Sequence, residues 1–129
     1  IQRRGNILSG SGPELTRYHM EVRGLGIINI KDLFGVAAVR YLKDVEMLVE
    51  LAHWQEGREY ERLGLEQKTF DILDIAIPYI EMPVAPGRHL SVLVEVAARN
   101  HLLRTKGYDP ARELAGRLDA RLADRGAGR

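Results

Sequence analysis

The chain has no cysteine, two phenylalanines and one tryptophan in 129 residues, and no long apolar run. Without cysteine there is neither a disulfide framework nor a thiolate metal site, which fits a cytoplasmic setting. No apolar stretch approaches the roughly 18 residues that span a bilayer, and the first residues do not read as a signal peptide. Charge of one sign is also missing. Nineteen Lys and Arg against 18 Asp and Glu leave a net charge of +1, so no global pull toward nucleic acid or a membrane surface is expected. Arginine far outnumbers lysine, which reads as a GC-rich genome. What is present, 45% apolar and 29% charged residues, is the composition of a soluble globular domain large enough for a modest core. There is no internal repeat, low-complexity tract or interdomain linker.

The most informative stretch is Met20–Asn29, MEVRGLGIIN. Glu21 and Arg23 sit on alternate positions of an apolar run, so in a strand both would face one side. Gly24 and Gly26 then permit a sharp turn or a close approach to a ligand. Pro13–Tyr18 is expected to form a helical turn before this strand, and Asn29–Phe34 another, stopped near Gly35. Met47–Leu51 reads as a mostly buried strand. Thr69–Val84 reads as two strands with a turn or bulge near Asp74, because the apolar phase changes there. Pro78 and Pro83 cannot donate ladder hydrogen bonds and place this ribbon at a sheet edge.

A helix is expected from about Leu90 to Lys106, with Leu90, Leu93, Val94, Ala97 and His101 on one stripe and Gly107 as its stop. A last helix opens on Asp109 and Pro110, with Leu114, Leu118 and Leu122 as its buried face. The fold class is α/β, with a mixed sheet, an edge β-ribbon and two C-terminal helices.

MEVRGLGIIN, flanked by PELTRYH and INIKDLFG, closely resembles the signature of the bacterial HPr kinase/phosphorylase family. EYERLGLE, IPYIEMPVAPGR and VLVEVAARNHLLRTKGYDPA follow in that family's order, so the resemblance runs from about Leu8 to Leu118. The family's phosphate-binding loop, ending in Gly-Lys-Ser, has no counterpart here, and Gly10-Ser11-Gly12 lacks the lysine that grips terminal phosphates. The catalytic aspartate and an active-site histidine are likewise unmatched, and the first residue is Ile1. The chain is therefore expected to be the C-terminal portion of one larger P-loop kinase domain, inactive alone.

The resemblance implies roles for particular residues. Glu21 would help to bind magnesium, since a hard cation prefers carboxylate oxygen and can take phosphates and water as its other ligands. The alternative is a solvated acid paired with Arg23. Arg23 would orient Glu21 or a phosphate. Arg62 would be the active-site arginine that stabilises charge on the transferred phosphoryl group; otherwise it is a surface arginine near Glu59 and Glu66. Pro83, Val84, Ala85, Pro86, Gly87 and Arg88 match the segment used for dephosphorylation. Ala85 stands where the family usually has a basic residue, and loss of that cation is expected to weaken the phosphate half of the chemistry; His89 stands where the family commonly has Asn.

The histidines, His19, His53, His89 and His101, lack zinc-site spacing. Trp54 and Tyr60 read as packing residues, not a base-stacking platform. The implied function is a bifunctional enzyme that phosphorylates a serine of HPr with ATP or pyrophosphate and Mg2+, and reverses this with inorganic phosphate. The implied assembly is a homohexamer acting in carbon catabolite repression. Rival readings are a non-catalytic oligomerisation and HPr-docking module and, less fitting, a small-molecule kinase of the same architecture.

Overall fold

A computed structural model describes residues 1–60 and 67–128. Among these the strands are β1 (Gln2–Arg4), β2 (Ile7–Gly10), β3 (His19–Val22), β4 (Gly26–Asn29), β5 (Lys43–Asp44), β6 (Leu48–His53), β7 (Lys68–Ile72) and β8 (Ile75–Val84). The helices are α1 (Ile30–Phe34), α2 (Leu90–Thr105) and α3 (Pro110–Ala127). The chain divides into two units, Ile1–Glu46 with Asp71–Ile77, and Met47–Phe70 with Pro78–Arg129.

In the first unit, β1, β2 and β5 form an antiparallel sheet in that order. Its middle strand carries the buried residues Leu8 and Ser9, and Ile77 is also buried in this unit. Ser9 keeps its hydroxyl satisfied by donating to Asp44 Oδ1 at 3.2 Å, as a buried polar group requires. β3 and β4 form a separate hairpin with Met20 opposite Ile28 and Glu21 opposite Ile27. Pro13–Tyr18 supplies successive turns in place of a helical one. Asn29 caps α1 through a bond from Asp32 N to its side chain at 3.1 Å, and Gly35, at φ +85°, ends it, as its residue types predict.

In the second unit, β6 runs parallel to β8, with Leu48 opposite Tyr79, Glu50 opposite Glu81 and Ala52 opposite Pro83. β8 is the middle strand of the order β6-β8-β7. The ribbon thus reaches the sheet edge through β7, while both prolines lie on the inner strand. Pro78 precedes the first β6-paired residue. Pro83 lies beyond the reach of a five-residue β7 joined by the two-residue turn Leu73-Asp74, so a missing N–H there breaks no ladder bond to β7. β6 is half exposed, not mostly buried: among the described residues its outer side lacks a further strand.

α2 ends in a complete Schellman motif: Tyr108 N bonds Leu103 O at 3.1 Å and Gly107 N bonds Arg104 O at 2.9 Å, with Gly107 at φ +86°. Asp109 caps α3 by accepting from Ala111 N at 3.2 Å and Arg112 N at 3.3 Å. The leucine stripe of α3 is not buried. Leu114, Leu118 and Leu122 are 54%, 52% and 66% exposed, because their spacing makes a face but nothing described in this unit covers it. Among the described residues no helix is long and apolar enough to cross a membrane.

Candidate functional site

Glu21 lies in the last half of β3, but Arg23 does not continue that strand. Arg23, Gly24 and Leu25 form the hairpin turn, closed by Leu25 N to Val22 O at 2.9 Å. Positive φ at Gly24 (+90°) and Gly26 (+95°) makes this tight turn possible. The strand therefore ends one residue before the arginine, and the two charges do not share its face. Both side chains are exposed, and among the described residues no ion pair joins them. Glu21 thus presents an uncommitted carboxylate. No group of three or more metal-ligating side chains gathers among the described residues. One carboxylate suits a cation that takes its other ligands from phosphates and water, as magnesium does. His19 Nδ1 lies 2.9 Å from Arg17 O, a contact that holds the strand entrance.

Pro83–Arg88 lies in the second unit. Ala85-Pro86-Gly87-Arg88 forms a reverse turn, with Arg88 N to Ala85 O at 3.2 Å and Gly87 at φ +82°. Proline at the second position and a positive-φ glycine at the third are the marks of a type II turn. The Arg88 guanidinium folds back and donates to Pro83 O at 2.9 Å. Arg88 stands one residue before His89, the N-cap of α2, a helix end whose unpaired N–H groups favour an anion.

A concavity of about 940 Å3 opens in this unit, lined among others by Trp54, Arg58, Tyr60, Tyr79, Glu81 and Arg88. Arg58 grips Glu81 with both ends of its fork, at 2.6 and 2.9 Å. Its guanidinium also lies 5.5 Å from the Tyr60 ring. Tyr60 stacks on Trp54 with ring centres 4.6 Å apart and planes inclined by 22°, and Trp54 is still 49% exposed. Tyr79 donates its hydroxyl to Glu50. That bond, then desolvation and the nearby carboxylates, push the Tyr79 hydroxyl up to about 12. The Arg58–Glu81 pair is invisible in the sequence, because 23 residues separate its members. Arg62 lies outside the described residues. Glu21 and Arg23 belong to one unit and Pro83 to Arg88 to the other.

Comparison with known proteins gives these residues a context. The HPr Serine kinase C-terminal domain family matches residues 1–118. The chain belongs to that family. It is 50% identical over 121 residues to an HPr kinase/phosphorylase of Geobacter sulfurreducens, covering 94% of this chain and 38% of that protein. With an HPr kinase/phosphorylase of Chloroherpeton thalassium the identity is 44% over 126 residues, 97% of this chain and 37% of the relative. A solved Hpr(Ser) kinase/phosphatase from Coxiella burnetii superposes with a TM-score of 0.73 at 32% identity, over 88% of this chain and 69% of that one. The chain thus spans less than two fifths of the length of these two curated relatives. Its α/β fold is that of the solved relative over the matched 88% of the chain, and the chain itself ends in two long helices.

Proposed function

We propose that the protein carrying this chain is a bifunctional HPr kinase/phosphorylase. It phosphorylates a serine of HPr using ATP or pyrophosphate with Mg2+, and removes the phosphate using inorganic phosphate. The observation that carries this reading is the 50% identity over 121 residues to a protein named HPr kinase/phosphorylase. The free carboxylate of Glu21 fits a share in a magnesium site, where the ion would neutralise phosphate charge. Arg23, in the adjoining turn, serves a phosphate and not Glu21. Arg62 stabilises the charge that spreads over the phosphoryl oxygens during transfer. The Pro83–Arg88 turn handles inorganic phosphate in the reverse direction, with Arg88 as its cation in place of a pair. The protein works as a homo-oligomer, a hexamer, in the bacterial cytoplasm, in carbon catabolite repression.

The test is HPr phosphorylation by the full-length protein with Mg-ATP, followed by mass. A single added phosphate that a serine-to-alanine change in HPr abolishes, and that inorganic phosphate removes, is the expected result. The 129-residue chain alone should transfer nothing, because no Gly-Lys-Ser loop is in it. Absence of Mg-dependent transfer by the full-length protein overturns the reading. One observation favours a second reading, a non-catalytic module for oligomerisation and HPr docking: the leucine stripe of α3 is open. HPr binding by a full-length protein with no transfer under any phosphate donor would select it.

A further inference from the structure

We infer that Tyr18 is a positioning residue for Glu21, setting through its backbone where that carboxylate points. This rests on the magnesium reading of Glu21 above. Among the described residues β3 and β4 pair only with each other, and a two-stranded hairpin is marginally stable in water by itself. The direction of Glu21 therefore depends on how the two ends of the hairpin are closed. One end is the glycine turn, held by Leu25 N to Val22 O at 2.9 Å. At the other end Ile30 N donates to Tyr18 O at 2.8 Å, one step beyond the last strand pair, His19 with Asn29. Tyr18 is thus the final rung of the ladder that carries Glu21.

The conformation of this tyrosine is unusual for its type. Tyr18 has φ +68° and takes the third position of the turn Thr16–His19, closed by His19 N to Thr16 O at 3.0 Å. A positive φ at that position ordinarily calls for glycine or asparagine, and a bulky side chain there is an outlier. Such a residue persists only where its surroundings hold it. Here the hold comes from α1: besides the bond from Ile30, Lys31 Nζ lies 5.5 Å from the centre of the Tyr18 ring. α1 is itself anchored to β4, because Asn29, opposite His19, caps it by accepting from Asp32 N at 3.1 Å. The left-handed step at Tyr18 leads the chain out of the preceding turns and into β3 in the register that pairs Glu21 with Ile27. Side chains alternate along a strand, so a slip of one residue at this entrance would carry the Glu21 carboxylate to the opposite face.

The experiment uses the full-length protein with Tyr18→Val, Tyr18→Gly, Glu21→Gln and the double variant Tyr18→Val, Glu21→Gln, assayed for HPr phosphorylation against magnesium. Valine, whose branched side chain opposes a positive φ, should raise the magnesium half-saturation about tenfold, the lower end for groups that orient a metal ligand. The KM for HPr should stay within about twofold of the parent. Glycine adopts the same backbone freely, so Tyr18→Gly should keep the magnesium half-saturation within about threefold of the parent. In the metal-free protein, amide exchange across β3 and β4 should quicken in the valine variant and not in the glycine one. Added to Glu21→Gln, Tyr18→Val should cause little further loss, since a positioning effect has nothing left to position. A parental magnesium half-saturation or parental exchange in Tyr18→Val, equal losses for valine and glycine, or losses that multiply in the double variant overturn the inference. Parental magnesium dependence of Glu21→Gln overturns instead the reading on which it rests. Should Tyr18→Val not fold, Tyr18→Ala, a smaller side chain at the same positive φ, is judged by the same outcomes.

Discussion

Replacing Asp109 by alanine isolates what holds the last helix in place. The Asp109 side chain accepts two first-turn N–H groups, from Ala111 and Arg112, at 3.2 and 3.3 Å. It also lies 3.6 Å from Arg112 and 3.9 Å from Arg104. Loss of an N-cap costs about 0.5–2 kcal/mol, typically about 1. The contact with Arg112, which is 70% exposed, adds little. Asp109 itself is 16% exposed, so its N–H partners would be partly shielded from water once abandoned. The expected loss is therefore about 1–2 kcal/mol for Asp109→Ala. Asparagine caps a helix about as well as aspartate, so Asp109→Asn should lose only about 0.5 kcal/mol or less. Urea unfolding followed by helical circular dichroism, with the slope m unchanged, measures both. A melting shift of about 3–6 °C for the alanine variant would agree. If alanine and asparagine destabilise equally, the charge and not the cap is responsible, and the reasoning fails.

Four further outcomes are expected. Gly87→Ala should destabilise by about 1 kcal/mol, purely through the backbone, because a Cβ there meets nothing within 4 Å at φ +82°; a denaturant midpoint equal to the parent refutes the left-handed turn. The Tyr79 hydroxyl is raised from 10.0 to about 12 by its bond to Glu50, so that bond's contribution is complete below about pH 10 and disappears between about pH 10 and 12. Absorbance at about 295 nm should show a late tyrosine step that Tyr79→Phe removes. In the full-length protein, Glu21→Gln should raise the magnesium half-saturation about tenfold or more, and near-normal transfer at ordinary magnesium would reduce Glu21 to a surface acid. Ala85→Arg should lower the phosphate needed for dephosphorylation about tenfold, since a charge-assisted contact contributes about 1.5–3 kcal/mol, with little change in the kinase direction; equal phosphate titrations would mean that Arg88 already suffices.

Much of the local structure is legible directly in the residues. Gly107 stops α2 and Asp109-Pro110 starts α3, because these signals act over one helical turn. The phase change at Leu73-Asp74 marks a turn in which both residues have positive φ, +48° and +63°. Features that depend on distant partners are harder to read. The spacing of Leu114, Leu118 and Leu122 defines a face without saying whether anything lies on it. The alternation of Glu21 and Arg23 assumes that the strand continues, and the glycine pair turns it one residue too soon. Pro78 and Pro83 argue against an inner strand only where a donor is required, and that depends on how far β7 extends. The grip of Arg58 on Glu81 leaves no local trace. The family signature marks Glu21 in one unit and the Pro83–Arg88 turn in the other as candidate residues, while the clamp of Arg58 on Glu81 comes only from the fold.

The division of β8 between the two units has a practical consequence. Its first three residues belong with the amino-terminal body and its last seven with the other, so each body is assembled from two separate stretches of chain. No single cut can part the two cleanly. A break between Glu46 and Met47 would strip the first body of Asp71–Ile77, including the buried Ile77. The same break would leave Ile77 attached to the second body without its partners in the first. Closure of either body must wait for distant residues to meet, the kind of topology that folds slowly and exposes unpaired strands meanwhile. Expression of halves is therefore a poor route to this protein, and any insertion intended as a neutral linker belongs outside the stretch from Glu46 to Pro78.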